Sequence, residues 1–200
     1  FQHGGPEVLQ YAEVPDPVAG PGEVLVEVGA AALNRLDLFV RQGWPGLKLA
    51  MPHIPGADAA GVVRAVGAGV DALAPGDRVA INPTVSCGRC EYCLRGDDNL
   101  CPTHAILGEL VPGTYAEQIV VPAINVIKIP DRIPYADAAA FSLVGVTAWQ
   151  MLITKGRLQA GEDVLIVGAG GGVNSVAIQI AKLAGARVLV VGSNASRLAQ

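Results

Sequence analysis

Four cysteines inside fifteen residues constrain this chain more than any other feature: Cys87, Cys90, Cys93 and Cys101. Two successive C-x-x-C spacings are followed, after seven residues, by the fourth thiol. Zinc takes four thiolates tetrahedrally, and such a closed shell leaves no position for water or substrate. The expected site is therefore a structural zinc held in a lobe over residues 86–102. An iron–sulfur cluster is the alternative for a four-thiolate set. Disulfides between half-cystines two residues apart have poor geometry, and ligand softness and spacing favour zinc. His104 follows closely and reads as an ordinary surface residue. Clustered thiols of this kind belong to a reducing compartment, and no basic-then-apolar signal peptide opens the chain, so a cytoplasmic location is expected.

The residues around the cluster read as short strands. Gly22–Val28 alternates charged and apolar side chains after a Pro-Gly turn, and Gly61–Gly67 reads as a second strand. Pro75-Gly76-Asp77 turns the chain into Arg78–Ile81, and Tyr115–Val121 forms another strand closed by Pro122. With 25 glycines, 14 prolines and only 4% aromatic residues, this half is expected to be an all-β barrel packed by aliphatic side chains. It occupies residues 1–132.

From residue 133 the period changes. Ala136–Lys155 reads as one or two helices. Asp163–Val167 is a continuous apolar run of the kind buried on both faces of a parallel sheet. Gly168, Gly170, Gly171 and Gly172 make a loop, and Val173, Val176, Ala177, Ile180, Ala181 and Ala184 then follow helical spacing until Gly185. Arg187–Val191 is the next strand. This βαβ unit is the expected start of a Rossmann sheet over residues 133–200, with a dinucleotide pyrophosphate over the glycine loop and the N-terminus of the helix. In strict G-x-G-x-x-G register from Gly168 the last position is Val173, so the fingerprint is imperfect. After the second strand comes Gly192-Ser193-Asn194-Ala195-Ser196-Arg197, with no carboxylate to accept from a ribose 2′-hydroxyl. That gap favours NADPH over NADH, with Ser193, Arg197 and Lys182 as candidate ligands of the 2′-phosphate. Arg197 reads equally well as a solvated helix residue.

The formal net charge of −4 is scattered, and no basic stripe marks a nucleic-acid surface. The longest uncharged window, Val164–Ala181, is broken by Gly168, Gly170, Gly171, Gly172, Asn174, Ser175 and Gln179, so no membrane partner is expected. The chain begins at Phe1 without a methionine, and a lone βαβ unit cannot cover both faces of a sheet, which reads as a fragment of a longer protein.

A β domain, a four-cysteine lobe and a glycine-rich βαβ unit in this order resemble the medium-chain dehydrogenase/reductase superfamily, which pairs a GroES-like barrel with a Rossmann domain. Markers of the resemblance are Gly56–Val63, Gly113–Glu117 and Gly145–Trp149. The opening His3–Leu9 and the loop Gly168–Ser175 look most like the quinone oxidoreductase branch, although Asn174 stands where that branch usually has glycine. In zinc alcohol dehydrogenases of the superfamily a catalytic zinc is bound by Cys, His and Cys. Those positions match Asn34, Ala57 and Leu143 here, with Asp58 in place of a nearby Glu. An amide, a methyl and an isobutyl group cannot build a zinc site.

The resemblance therefore implies hydride transfer from NADPH to a quinone, enone or related carbonyl without a catalytic metal. Its alternatives are a zinc-type alcohol dehydrogenase and a non-catalytic nucleotide-binding relative. It also implies a small-molecule substrate and, in the complete protein, a homo-oligomer formed through the Rossmann domain. Asn34 and Thr147 are the expected catalytic residues, with Arg35 and Asp37 as further candidates. Asn34 can instead only tie a loop to the backbone, and Thr147 can be spent on its own helix. Asp58 reads as a buried structural acid and His53 as a packed loop residue.

Overall fold

The computed structural model describes residues 2–193. They form two compact units, Phe1–Ser142 and Leu143–Gln200. The first is built on an antiparallel sheet of five strands: β1 (Glu23–Ala32), β2 (Asp58–Val66), β3 (Arg78–Ile81), β6 (Gln118–Pro122) and β7 (Val126–Lys128). Their order is β6-β1-β2-β3-β7, and a two-stranded ribbon joins β4 (Thr84–Val85) to β5 (Ala105–Ile106). The alternation read in the sequence is the reason for these elements. Every second residue points inward, so Val24, Val26, Val63, Val79, Ile81, Ile119 and Val121 meet in one aliphatic core. Branched residues suit that pleated surface.

Two strand boundaries differ from the sequence reading. β1 runs on to Ala32 because Ala30, Ala31 and Ala32 pair with Ala60, Ala59 and Asp58, after register shifts on either side of Val26–Val28. Strand β6 begins only at Gln118. Thr114 and Tyr115 are pulled away to the Pro55-Gly56 turn, where Thr114 N–H donates to Gly56 C=O and Tyr115 N–H to Pro55 C=O. Gly56 accepts this close approach at φ +98°, since a Cβ there would lie 2.4 Å from the Tyr115 ring.

Helix α1 (Arg35–Gln42) follows β1, and the short α2 (Glu91–Leu94) lies in the cysteine lobe. Helix α3 (Tyr135–Trp149) runs into a π-turn at Gln150–Lys155. Together they span 21 residues with an 18-residue stretch of mean hydropathy 1.4, long and apolar enough by composition to cross a membrane. The boundary between units falls inside α3, about ten residues after the expected break at 132/133. The first turns of α3 belong to the barrel because Ala138 and Ala139 pack on Ala60. Arg78 clamps the segment leading into α3. Its guanidinium donates to the carbonyls of Asp131 and Ile133 and to the Tyr135 hydroxyl, and it lies 4.4 Å from the Tyr135 ring centroid.

In the second unit β8 (Asp163–Val167) and β9 (Arg187–Val191) are parallel and in register, joined by α4 (Gly172–Leu183). Ala148, Ile166, Ala177 and Ile180 form its core. The sequence reads β8 as covered on both faces, but one face is open among the described residues. Leu165, Val167, Leu189 and Val191 are exposed, because α4 and the end of α3 pack only on the opposite side.

Candidate functional sites

In the lobe, all four cysteine Sγ atoms lie within 4.8 Å of one another. The pairs Cys90–Cys93 and Cys87–Cys93 are 3.5 Å and 3.9 Å apart. Four sulfurs at about 2.3 Å from one zinc sit roughly 3.8 Å apart, so the set matches a tetrahedral thiolate shell. The backbone prepares it: Gly88 (φ +67°) and Gly96 (φ +80°) turn the chain tightly, and Cys90 caps α2 while Cys93 lies inside it. The Cys87 N–H donates to Cys101 Sγ, and the Cys90 N–H to Cys87 Sγ. The thiols differ in acidity. Backbone N–H groups of Arg89 and Cys90 lower Cys87 below its ordinary value. The Cys87 N–H, helped by the Thr103 hydroxyl, brings Cys101 down to about 6. The Cys93 N–H pulls Cys90 down as well, but burial and the Cys93 and Cys87 thiols outweigh it, pushing Cys90 up to about 11. Such a set suits a cation that displaces the remaining protons. Among the described residues it is the one group of three or more His, Cys, Asp or Glu side chains gathered closely enough to hold a metal ion. His104 is not part of it.

A second polar cluster surrounds the start of α1. Asn34 is the N-cap, in extended conformation, and its N–H donates to Asp37 Oδ2 at 2.6 Å. This is one arm of a capping box. The Asn34 side-chain Nδ2 donates to Asp58 Oδ2 at 2.8 Å. Asp37 Oδ2 also accepts from the Tyr115 hydroxyl at 2.7 Å. Asp58 is 1% exposed and Asp37 7%. Burial, together with the hydrogen bond to Asp37, raises the Tyr115 phenol well above its usual value. Asp58 is the buried acid the sequence suggests, while the Asn34 amide is bonded to its side chain rather than to a backbone group. Tyr115 has no role in the sequence reading. Its only signal there is its place in the Gly113–Glu117 marker. Arg35 is exposed. His53 Nε2 lies 2.9 Å from Gly108 C=O, as a packed loop residue does. Beside the cluster, Leu36, Phe39, Gln42, Gly43, Trp44 and Glu109 line a shallow cavity of about 380 Å³.

Thr147 lies on α3, in the second unit, and its hydroxyl donates to Leu143 C=O at 2.8 Å. The single hydroxyl proton is spent inside the helix, the alternative raised by the sequence. The glycine loop follows β8. Gly168 adopts φ +101°, and its N–H donates to Val191 C=O. Gly170, Gly171 and Gly172 are exposed, and a Cβ on Gly171 would meet no atom within 4 Å. Backbone can therefore approach a diphosphate here. Val173 is half-buried and packs inward from α4. Asn174 Nδ2 donates to Val167 and Gly168 carbonyls at 3.0 Å and 2.7 Å, closing the end of β8. Ser193 is exposed two residues beyond β9, at the loop end of the strands. Lys182 is not brought to the loop. It sits in the last turn of α4, ten residues from Gly172 and so about 15 Å along the axis. Sequence proximity to β9 misled here, because a crossover helix runs back toward the opposite end of the strands. Arg197 lies outside the described residues.

Comparison with known proteins agrees with this arrangement. Residues 20–131 match the alcohol dehydrogenase GroES-like domain. An alcohol dehydrogenase of Schizosaccharomyces pombe is 39% identical over 191 residues, covering 94% of this chain and 54% of that protein. A quinone oxidoreductase of Homo sapiens is 33% identical over 190 residues, covering 94% and 50%. The crystal structure of an NAD-dependent alcohol dehydrogenase superposes with a TM-score of 0.95 at 52% identity, covering 99% of this chain and 58% of that one. The chain thus spans about half the length of the curated relatives it matches.

Proposed function

The chain belongs to the alcohol dehydrogenase GroES-like family of the medium-chain dehydrogenase/reductase superfamily, and from this we propose that it is part of a cytoplasmic NADPH-dependent oxidoreductase that reduces a quinone, enone or related carbonyl without a catalytic zinc. The observation that carries the reading is the 2.8 Å bond from Asn34 to Asp58. The Asn34 amide, at a position that resembles that of a catalytic-zinc ligand, is engaged with the carboxylate of Asp58, and Ala57 and Leu143, at the other two ligand positions, offer no donor atom.

When bound, the nicotinamide dinucleotide supplies the hydride. The Asn34 amide keeps a second N–H, the donor suited to a carbonyl oxygen on which charge develops. Gly168, Gly170, Gly171 and Gly172 receive the diphosphate at the start of α4. Ser193, with no carboxylate beside it, supports NADPH, whereas Lys182 is too distant to contribute. The cavity with Phe39 and Trp44 in its wall supports an apolar carbonyl compound as substrate. Cys87, Cys90, Cys93 and Cys101 hold a structural zinc.

The test is a full-length protein assayed with NADPH and NADH against a quinone, an enal and a primary alcohol, with its zinc counted. Turnover of quinone or enal by a protein with one zinc per chain supports the reading. Chelator-sensitive alcohol oxidation by a protein with two overturns it in favour of the zinc alcohol dehydrogenases.

A further inference from the structure

We infer that Asp58 and Tyr115 are positioning residues for the Asn34 amide, fixing it as a hydrogen-bond donor and so selecting substrates that present a carbonyl oxygen. This rests on the reading of Asn34 given above. A primary amide turned by half a rotation about its last bond exchanges its oxygen for its NH2 group, so an unrestrained asparagine presents either. An ionised carboxylate can only accept. With Asp58 Oδ2 at 2.8 Å, the NH2 end of Asn34 is the end held toward β2.

Asp58 cannot drift to follow a turned amide. It is 1% exposed, its residue pairs with Ala32 across β1, and its C=O accepts from the Thr114 hydroxyl at 3.0 Å. The main chain of Asn34 is fixed just as firmly. Its N–H and the Tyr115 hydroxyl converge on one oxygen of Asp37, at 2.6 Å and 2.7 Å. The start of α1 and the approach to β6 thereby meet on the Asp37 carboxylate, while β2 reaches the Asn34 side chain through Asp58. Capping of α1 accounts for Asp37 alone. A carboxylate sealed at position 58 of an aliphatic sheet is not what stability by itself would select, because an apolar residue of similar size avoids its desolvation. Its bond to the Asn34 amide gives it a part in orienting that side chain.

The test compares full-length variants by steady-state kinetics with NADPH and a quinone or enal. Asn34→Ala is expected to lower kcat by about 10²-fold, the usual cost of one charge-stabilising donor. Asp58→Asn sets one amide against the other and is expected to lower kcat at least about tenfold, with the KM for NADPH unchanged. Tyr115→Phe is expected to act in the same sense by about threefold to tenfold. The exchange N34D/D58N rebuilds the hydrogen bond with its roles reversed. It is expected to regain the thermal stability lost in Asp58→Asn but not the turnover, since a carboxylate then faces the substrate.

Wild-type kcat in Asn34→Ala would sink the reading of Asn34 itself. Loss in Asn34→Ala with wild-type kcat in Tyr115→Phe and Asp58→Asn would overturn the positioning role alone. So would recovery of turnover in the exchanged pair. If Asp58→Asn does not fold, Tyr115→Phe and the exchanged pair decide.

Discussion

Stripping the cysteine cluster with a strong chelator is expected to melt residues 86–102 while leaving the β sheet folded. Within that segment only Cys101 is buried, and the local order consists of one four-residue helix and one three-residue 3₁₀ turn. No side chain of the segment enters the aliphatic core of the sheet. Metal binding is thus the main term holding the lobe, worth about 10–16 kcal/mol for structural zinc in isolated small domains. That equals or exceeds the roughly 5–15 kcal/mol that keeps a whole domain folded, so in the zinc-bound protein the lobe opens only with global unfolding. Without metal its opening free energy falls close to zero. At tenfold per 1.4 kcal/mol, even a loss of about 5 kcal/mol lowers amide protection by more than three orders of magnitude. Hydrogen exchange read by mass spectrometry, with and without chelator, follows this directly. The amides of Leu94, Asp97, Cys101 and His104, each bonded to a carbonyl of the lobe, should exchange within the first time points after stripping. Those of β1 and β2 should keep their protection. Unchanged lobe protection in metal-free protein would refute the argument, and so would simultaneous loss across β1 and β2.

Gly61→Ala is expected to cost about 3 kcal/mol, since its Cβ would stand 1.9 Å from the Glu27 carbonyl oxygen and force β1 and β2 apart. Gly69→Ala has open space and bears only the strain of φ +82°, about 1 kcal/mol. Equal urea midpoints for the two variants would refute the close strand approach. The raised phenol of Tyr115 keeps its proton above pH ~10, where an unfolded chain ionises, so its contribution to stability is present below that pH and declines as pH rises further. Ultraviolet titration should show a phenol that ionises well above the ordinary tyrosine range and is lost in Tyr115→Phe, and its absence would contradict this. Lys182→Ala should leave the KM for NADPH within about twofold of wild type, because the residue sits at the far end of α4. A large rise in that KM would place the nucleotide elsewhere.

The features legible from the chain alone are those whose chemistry is written locally. Two C-x-x-C steps bring three thiols together through a few bonds, and Cys101 is close enough in sequence to complete the set. Alternation over Glu23–Val28 fixes which side chains face inward, and the glycine loop is bracketed by the strand and helix it joins. What depended on the path of the chain was invisible. Asn34 and Asp58 lie 24 residues apart, Tyr115 and Asp37 78 apart, and Arg78 and Tyr135 57 apart. No local pattern encodes such meetings, because they arise from strand pairing and from the turn that carries Tyr115 onto Gly56. The same cause separates Ser193 from Lys182: eleven residues part them in sequence, yet the crossover of α4 sends them to opposite ends of the parallel strands. Residue types and spacings determined a sulfur cage and a glycine loop between strand and helix. Only the folded backbone decided that the asparagine at a would-be metal position is held by a buried carboxylate, since that requires two strands to register and exclude water from the pair.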